Sequence, residues 1–260
     1  MKLMGVVNVT PDSFSDGGLF LDADAAVEHG HELVAQGAEI LDVGGESTRP
    51  GAEEVSAAGE RARVEPVVAG LTGAGHQVSI DTSKSAVAEA ALDAGASIVN
   101  DVTALRGDPP IASLCAERGA GLVLMHMRGD PRTMQEEPHY DDVVDDVKAF
   151  LAERLEAALA AGVAEDRVWL DPGIGFGKTV DHNLELLRRL GELRTLGRPL
   201  VVGTSRKSFI GKIDGSEVGD RLGGTIASSV IAAAAGADVL RVHDVAESRQ
   251  ALQMATAILG

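Results

Sequence analysis

Eight short apolar runs recur along the chain: Leu3–Val7, Ile40–Val43, Val78–Ile80, Ile98–Val99, Leu122–Met125, Val168–Leu170, Leu200–Val202 and Val239–Val242. Helix-like stretches rich in Ala, Leu, Glu and Arg separate them, and no hairpin signal intervenes. Alternating strand and helix is the βαβ pattern, and near-continuous Val/Ile/Leu strands imply a sheet covered on both faces. Eight such units in 260 residues fit a single (β/α)8 TIM barrel better than a doubly wound sheet. No Pro/Gly/Ser linker or compositional break divides the chain, so residues 1–260 read as one α/β domain. Asp22 is expected to cap a helix over Ala23–Gln36 with Gly37 as its stop, and Ser83 to cap a helix running to Gly95. Asp141–Ala161 is the longest amphipathic segment, and Thr179 is placed to cap the helix after it.

The C-terminal ends of these runs carry most of the polar chemistry. The first ends at Asn8, the second at Asp42, and the third at Asp81. The fourth leads to Asn100-Asp101, the fifth to His126, and the sixth to Asp171. The seventh opens the packet Ser205-Arg-Lys-Ser208 directly after Gly203, and the eighth supplies Arg241 and His243. Segments preceding the strands are bland, as in Gln36-Gly-Ala-Glu39 or Ala235-Gly-Ala237. Barrels place their ligands at the C-terminal face, which is the face this asymmetry marks. Arg241 and His243 are two apart in a strand and share a side, so Lys207, Arg241, His243 and Asn8 are expected to converge. The alternative for Arg241 is an internal salt bridge.

Composition excludes several classes. A net charge of −17 and only seven aromatic residues argue against a nucleic-acid partner, which needs a basic footprint or stacking platforms. An acidic chain that binds an anion must gather its few cations locally. No run approaches the roughly 18 apolar residues of a membrane span. The start Met-Lys-Leu-Met-Gly has no signal-peptide pattern, so a cytoplasmic protein is expected. The single cysteine, Cys115, lies in an apolar helical pattern and reads as a packing residue.

Asp171-Pro-Gly-Ile-Gly-Phe-Gly-Lys-Thr179 has glycines but fits no nucleotide motif. The P-loop's first glycine would fall at Pro172, and the third glycine of the dinucleotide fingerprint at Lys178. A flexible glycine loop is expected there. The seven histidines show no ligand spacing, and His29 and His31 read as surface residues. Asp12, Asp16, Asp42, Glu46, Asp81 and Asp171 are the carboxylates available to a divalent ion. Magnesium arriving with substrate phosphates is the better fit, since it keeps waters and takes few protein ligands. Asp81, Asn100 and Asp171 suit a planar heterocycle presenting N–H and amino donors, which a carboxylate can accept in pairs.

Taken together, Met4–Gly18, Asp42–Gly51, Ser79–Thr82, Asn100-Asp101, Asp171–Phe176, Ser205–Ser208 and Arg241–Asp244 resemble, in order, the motifs of dihydropteroate synthases. That resemblance implies a barrel joining 4-aminobenzoate to 6-hydroxymethyl-7,8-dihydropterin diphosphate, with magnesium, in folate synthesis. It implies that Asp81, Asn100, Asp171 and Lys207 hold the pterin, with Val102, Met125, Phe176 and Gly203 lining its slot. Asn8 would bind magnesium and diphosphate, with Thr48, Arg241 and His243 on the diphosphate side. Phe14, Ser15, Thr48, Arg49, Pro50, Phe176 and Ser208 would form the aminobenzoate pocket. Lys207, Arg241, His243 and Asn8 are the implied catalytic groups. Partners would be these small molecules and a second copy of the chain. A pterin-binding methyltransferase and a non-catalytic pterin-binding paralogue share the barrel and remain alternatives; the first would have no need of Thr48–Pro50 or Ser205–Ser208. Arg106–Pro110 has no role in this reading.

Overall fold

In the computed structural model, which describes residues 1–10, 19–47, 54–129, 133–134 and 138–259, eight parallel strands alternate with helices. The strands are β1 (Lys2–Asn8), β2 (Ile40–Gly44), β3 (Val78–Asp81), β4 (Ile98–Asp101), β5 (Gly121–Met125), β6 (Val168–Asp171), β7 (Val201–Val202) and β8 (Val239–Val242). Between and after them lie α1 (Leu19–Gln36), α2 (Ala57–Gly73), α3 (Ser85–Asp93), α4 (Pro110–Arg118), α5 (Val143–Ala160), α6 (Val180–Arg188), α7 (Ser208–Asp214), α8 (Leu222–Ala234) and α9 (Val245–Leu259). Strand order is β6-β5-β4-β3-β2-β1-β8-β7, and a single bridge between Leu170 and Leu200 joins the two edges into a barrel. The seam is thin because Pro199, which faces β6, has no N–H to offer, while the Leu200 N–H points the other way and donates to the Asp238 carboxylate at 2.9 Å. Pro199 still accepts from the Leu170 N–H at 2.9 Å.

Strand alternation sorts the side chains. Met4, Ile40, Ile98, Val123, Val201 and Val239 pack together, with Trp169 against them, as an apolar plug inside the barrel. Their neighbours Leu3, Leu41, Val43, Val99, Leu122, Leu170 and Leu240 face outward into the helix layer. Both faces are thus dry, which is why each run reads as continuously apolar. All eight predicted runs became strands, extended by up to two residues or, for β7, shortened by one.

Helix starts differ more. α1 begins at Leu19, so Asp22 lies inside the helix rather than capping it; Gly37 ends it at φ 115°. α3 begins at Ser85, and the Ser85 N–H donates to Asp108 at 2.7 Å rather than to Ser83. The cap comes from another loop, so local sequence did not reveal it, and it gives the Arg106–Pro110 stretch a role. Arg106 itself donates to the Met127 carbonyl at 2.7 Å and lies over the Phe150 ring. Asp142 caps α5, and Thr179 caps α6 in a reciprocal box with His182, as its position predicts. Cys115 is fully buried, and burial pushes its thiol up to about 12. His31 is half-buried, its Nδ1 2.8 Å from His76 Nε2, so it is not the free surface residue expected.

Candidate active site

Stepping two and four residues beyond the apolar plug reaches the candidate site on nearly every strand, because period-2 alternation keeps those side chains inside. Ile40 leads to Asp42, Ile98 to Asn100 and Val102, Val123 to Met125, and Trp169 to Asp171. Val201 leads to Gly203 and Ser205, and Val239 to Arg241 and His243; Asn8 is four beyond Met4. Asp81 joins them through register, opposite Gly44 on one side and Asn100 on the other.

Arg241 reaches across β1 to the acidic side of the mouth. Its Nε lies 2.6 Å from Asp42 Oδ2 and its Nη2 2.8 Å from Asp81 Oδ2, while Asn100 donates to Asp42 at 3.1 Å. The internal salt bridge is therefore present. Burial works against the guanidinium charge, but Asp42 and Asp81 more than offset it and hold Arg241 protonated. Burial also pushes the Asp81 carboxyl up to about 7, against the pull of Arg241. Asp171 is raised by burial too, opposed by the Gly173 N–H donating to its Oδ1 at 2.6 Å.

Opposite these carboxylates stands an apolar wall of Val102, Met125, Met127, Met134 and Phe176. The Lys207 ammonium sits 4.0 Å from the centre of the Phe176 ring. Burial and the nearby Arg241 cation bring Lys207 down to about 8. Arg206, at a left-handed φ of 57°, turns outward to pair bidentately with Asp244, which leaves Lys207 directed into the mouth. A Cβ on Gly203 would meet only Arg241 atoms at 3.7–3.8 Å, so any larger side chain there would project into the site rather than clash with protein. His243 Nδ1 lies 2.9 Å from Ser205 Oγ, and burial brings the ring down to about 3, so it is neutral at pH 7. The arrangement is a slot with one flat apolar wall, one edge of hydrogen-bond acceptors, and a cation at its mouth.

A family model described as pterin binding enzyme matches residues 4–243. The dihydropteroate synthase of Neisseria meningitidis serogroup C is 46% identical over 256 residues, which cover 97% of this chain and 90% of that protein. The chain belongs to the dihydropteroate synthase family of pterin-binding enzymes. Xanthomonas albilineans dihydropteroate synthase with 4-aminobenzoic acid matches its fold at a TM-score of 0.94 and 46% identity, over 100% of this chain and 93% of that one. The same organism's enzyme in complex with 7,8-dihydropteroate gives 0.90 and 44%, over 100% and 94%.

Of the residues that the dihydropteroate synthase resemblance singled out, Asp81, Asn100, Val102, Met125, Asp171, Phe176, Gly203, Lys207 and Arg241 come together in the slot. Asn8 and His243 stand at the adjoining strand ends, and Ser208 is exposed at the start of α7. Phe14, Ser15, Thr48, Arg49 and Pro50 lie outside the described residues. The expected cluster of free cations is only partly realised, since Asp42 and Asp81 engage Arg241.

Sequence reasoning missed Lys178. The loop after β6 is pinned rather than a flexible glycine loop, because the Lys178 ammonium is buried beneath it. It lies 2.8 Å from His126 Nδ1 and donates to the Gly173 and Phe176 carbonyls at 2.9 and 3.0 Å. Gly173 can have no side chain, since a Cβ would stand 1.9 Å from the His126 carbonyl oxygen. Burial lowers both Lys178 and His126, the latter to about 2. Only a lysine inside an otherwise apolar glycine loop hinted at this, and its partner comes from a different strand. Asp101 was likewise read only as a strand end. Its carboxylate accepts from Thr103 and Leu105 and holds Ala104 and Leu105 at positive φ beside the slot.

Among the described residues no group of three or more His, Cys, Asp or Glu is arranged to hold a metal. Asn8 offers one amide oxygen. That donor set fits a magnesium ion completed by waters and phosphate oxygens rather than a protein cage.

Proposed function

We propose that this chain catalyses the dihydropteroate synthase reaction, condensing 6-hydroxymethyl-7,8-dihydropterin diphosphate with 4-aminobenzoate to 7,8-dihydropteroate and diphosphate. The observation that carries the reading is the slot itself: Asp81, Asn100 and Asp171 on one edge, the Val102–Met125–Phe176 wall, and Lys207 at the mouth. Asp171 Oδ2 has no hydrogen-bond partner among the described residues and is available to pterin donors. The two carboxylates are worth most in the water-poor slot, where paired N–H donors are matched without desolvation loss.

In the reaction, the bond between the pterin methylene carbon and the diphosphate oxygen breaks, and diphosphate leaves with both electrons. The electron-rich dihydropterin delocalises the resulting positive charge. Asp81 and Asp171, preorganised beside it, stabilise that charge as it develops. The aminobenzoate nitrogen attacks the methylene carbon and then loses its proton to solvent. Lys207, Arg241 and His243 face the departing diphosphate, and Asn8 would hold magnesium there. When bound there, magnesium would neutralise charge on the leaving group. Phe14, Ser15, Thr48, Arg49, Pro50 and Ser208, with Phe176, would hold the aminobenzoate.

No helix among the described residues is long and apolar enough to cross a membrane. A buried free thiol at Cys115 supports a cytoplasmic setting. Exposed Ile231 on α8, and Met254, Ile258 and Leu259 on α9, support a homodimer. The deciding experiment incubates the protein with the dihydropterin diphosphate, magnesium and 4-aminobenzoate. Equimolar diphosphate and dihydropteroate are expected; methyl transfer to a corrinoid protein, or no turnover at all, would overturn the reading.

A further inference from the structure

Glu60 is a carboxylate with no exposure to solvent, in the first turn of α2, outside the slot. A buried carboxylate is costly unless paired, and its one cationic partner among the described residues is Lys84, 2.6 Å away. Lys84 Nζ also lies 2.7 Å from Glu46 Oε2. The other oxygen of Glu46 accepts from the Val55 N–H at 2.7 Å. Glu46 and Val55 flank residues 47–54, the segment that carries Thr48, Arg49 and Pro50. One hydrogen bond therefore closes the base of that segment, and one ammonium fastens the closure to α2. Gly45, next to Glu46, is held as well: its carbonyl accepts from Arg63 at 2.9 Å, and a Cβ on it would press on Glu60.

Lys84 belongs to the other half of the site. It lies three residues beyond Asp81, in the turn where the Lys84 N–H donates to Thr82 Oγ1 at 3.3 Å and the Thr82 N–H to the Asn100 carbonyl at 3.1 Å. The ammonium thus ties the ends of the 47–54 segment to the strand ends that present Asp81 and Asn100.

We propose that Lys84, with Glu46 and Glu60, is a positioning group that sets the aminobenzoate-binding segment in register with the pterin carboxylates. It touches neither substrate. The inference rests on the proposed placement of Thr48, Arg49 and Pro50 around the aminobenzoate. Burial of Glu60 then has a role, because with no water competing its carboxylate binds the Lys84 ammonium more strongly.

The test compares the parent with Lys84→Met/Glu60→Met, which removes both charges at similar volume and leaves no orphaned buried carboxylate. The KM for 4-aminobenzoate should rise on the order of 100-fold, as expected for misplacement of a binding group. The KM for the pterin diphosphate should rise far less, since only Thr48 of that segment stands on the diphosphate side, and Lys84→Arg alone should keep the aminobenzoate KM near the parent value. A folded double variant whose two KM values rise in parallel, or in which neither moves, overturns the proposal. Hydrogen exchange of the Val55 amide, measured without substrates, reads the clamp independently of the reaction. Exchange should quicken roughly tenfold or more in the double variant. Unchanged exchange refutes the clamp even in an active enzyme, whereas faster exchange without synthase activity in the parent refutes only the functional reading.

Discussion

Replacing Lys178 by Met tests the pinning of the loop after β6. Methionine spans nearly the same length, so no cavity opens, and the change isolates the ammonium. Three close contacts are lost at once, to His126 Nδ1 at 2.8 Å, the Gly173 carbonyl at 2.9 Å and the Phe176 carbonyl at 3.0 Å, with a longer one to the His126 carbonyl at 3.5 Å. Hydrogen bonds to a charged group contribute about 1.5–3 kcal/mol each, so about 5–9 kcal/mol is lost in gross terms. Against this, the variant no longer buries an ammonium, a relief of several kcal/mol. The Gly173 carbonyl keeps the Phe176 N–H at 3.1 Å, but His126 Nδ1 and the Phe176 carbonyl are left without a donor where water has little access, and that decides the sign. A net destabilisation of about 2–4 kcal/mol should lower the melting midpoint by about 5–15 °C for a chain of this size. Because two of the acceptors belong to Gly173 and Phe176, pterin affinity should fall as well, while far-ultraviolet circular dichroism stays native. Thermal unfolding and calorimetric titration of the pterin diphosphate read both effects. A midpoint within about 2 °C of the parent, with unchanged pterin affinity, would refute the claim that this ammonium organises the loop.

Three further outcomes follow from the site. The Lys207 ammonium is complete well below pH 8 and is lost as pH rises through about 8; kcat/KM for the pterin diphosphate should therefore fall on the alkaline side near that value. Lys207→Arg should move that limb upward, and an unchanged limb in the variant would exclude Lys207 as its source. Asp171→Asn presents amide donors where the pterin also presents donors, which should cost about 1–3 kcal/mol of pterin binding and much less of aminobenzoate binding; equal calorimetric losses for both ligands would contradict the placement. Aminobenzoate should bind tightly only after diphosphate and magnesium occupy the mouth, with positive coupling between the two; equal affinity with and without diphosphate would rule out this order.

The residues themselves determined the barrel. Eight apolar runs between amphipathic segments leave few other arrangements, and polar ends on every run identify the ligand face. The period-2 rule puts Arg241 and His243 on one side of their strand, but which side is the interior cannot be read from runs that are apolar on both faces. Thr179 was legible as a cap because a cap is a bond between near neighbours in sequence. What only the tertiary structure decided is which polar groups satisfy one another across strands. Arg241 pairs with Asp42 and Asp81, 199 and 160 residues away in sequence, and Lys178 finds His126 across a gap of 52. Ser85 takes its cap from Asp108, and Lys84 links Glu46 with Glu60. Each of these groups is a charge drawn out of water, and a desolvated charge takes whichever partner the closed barrel brings within reach. That choice is made by strand order and register, which no local stretch of the chain encodes.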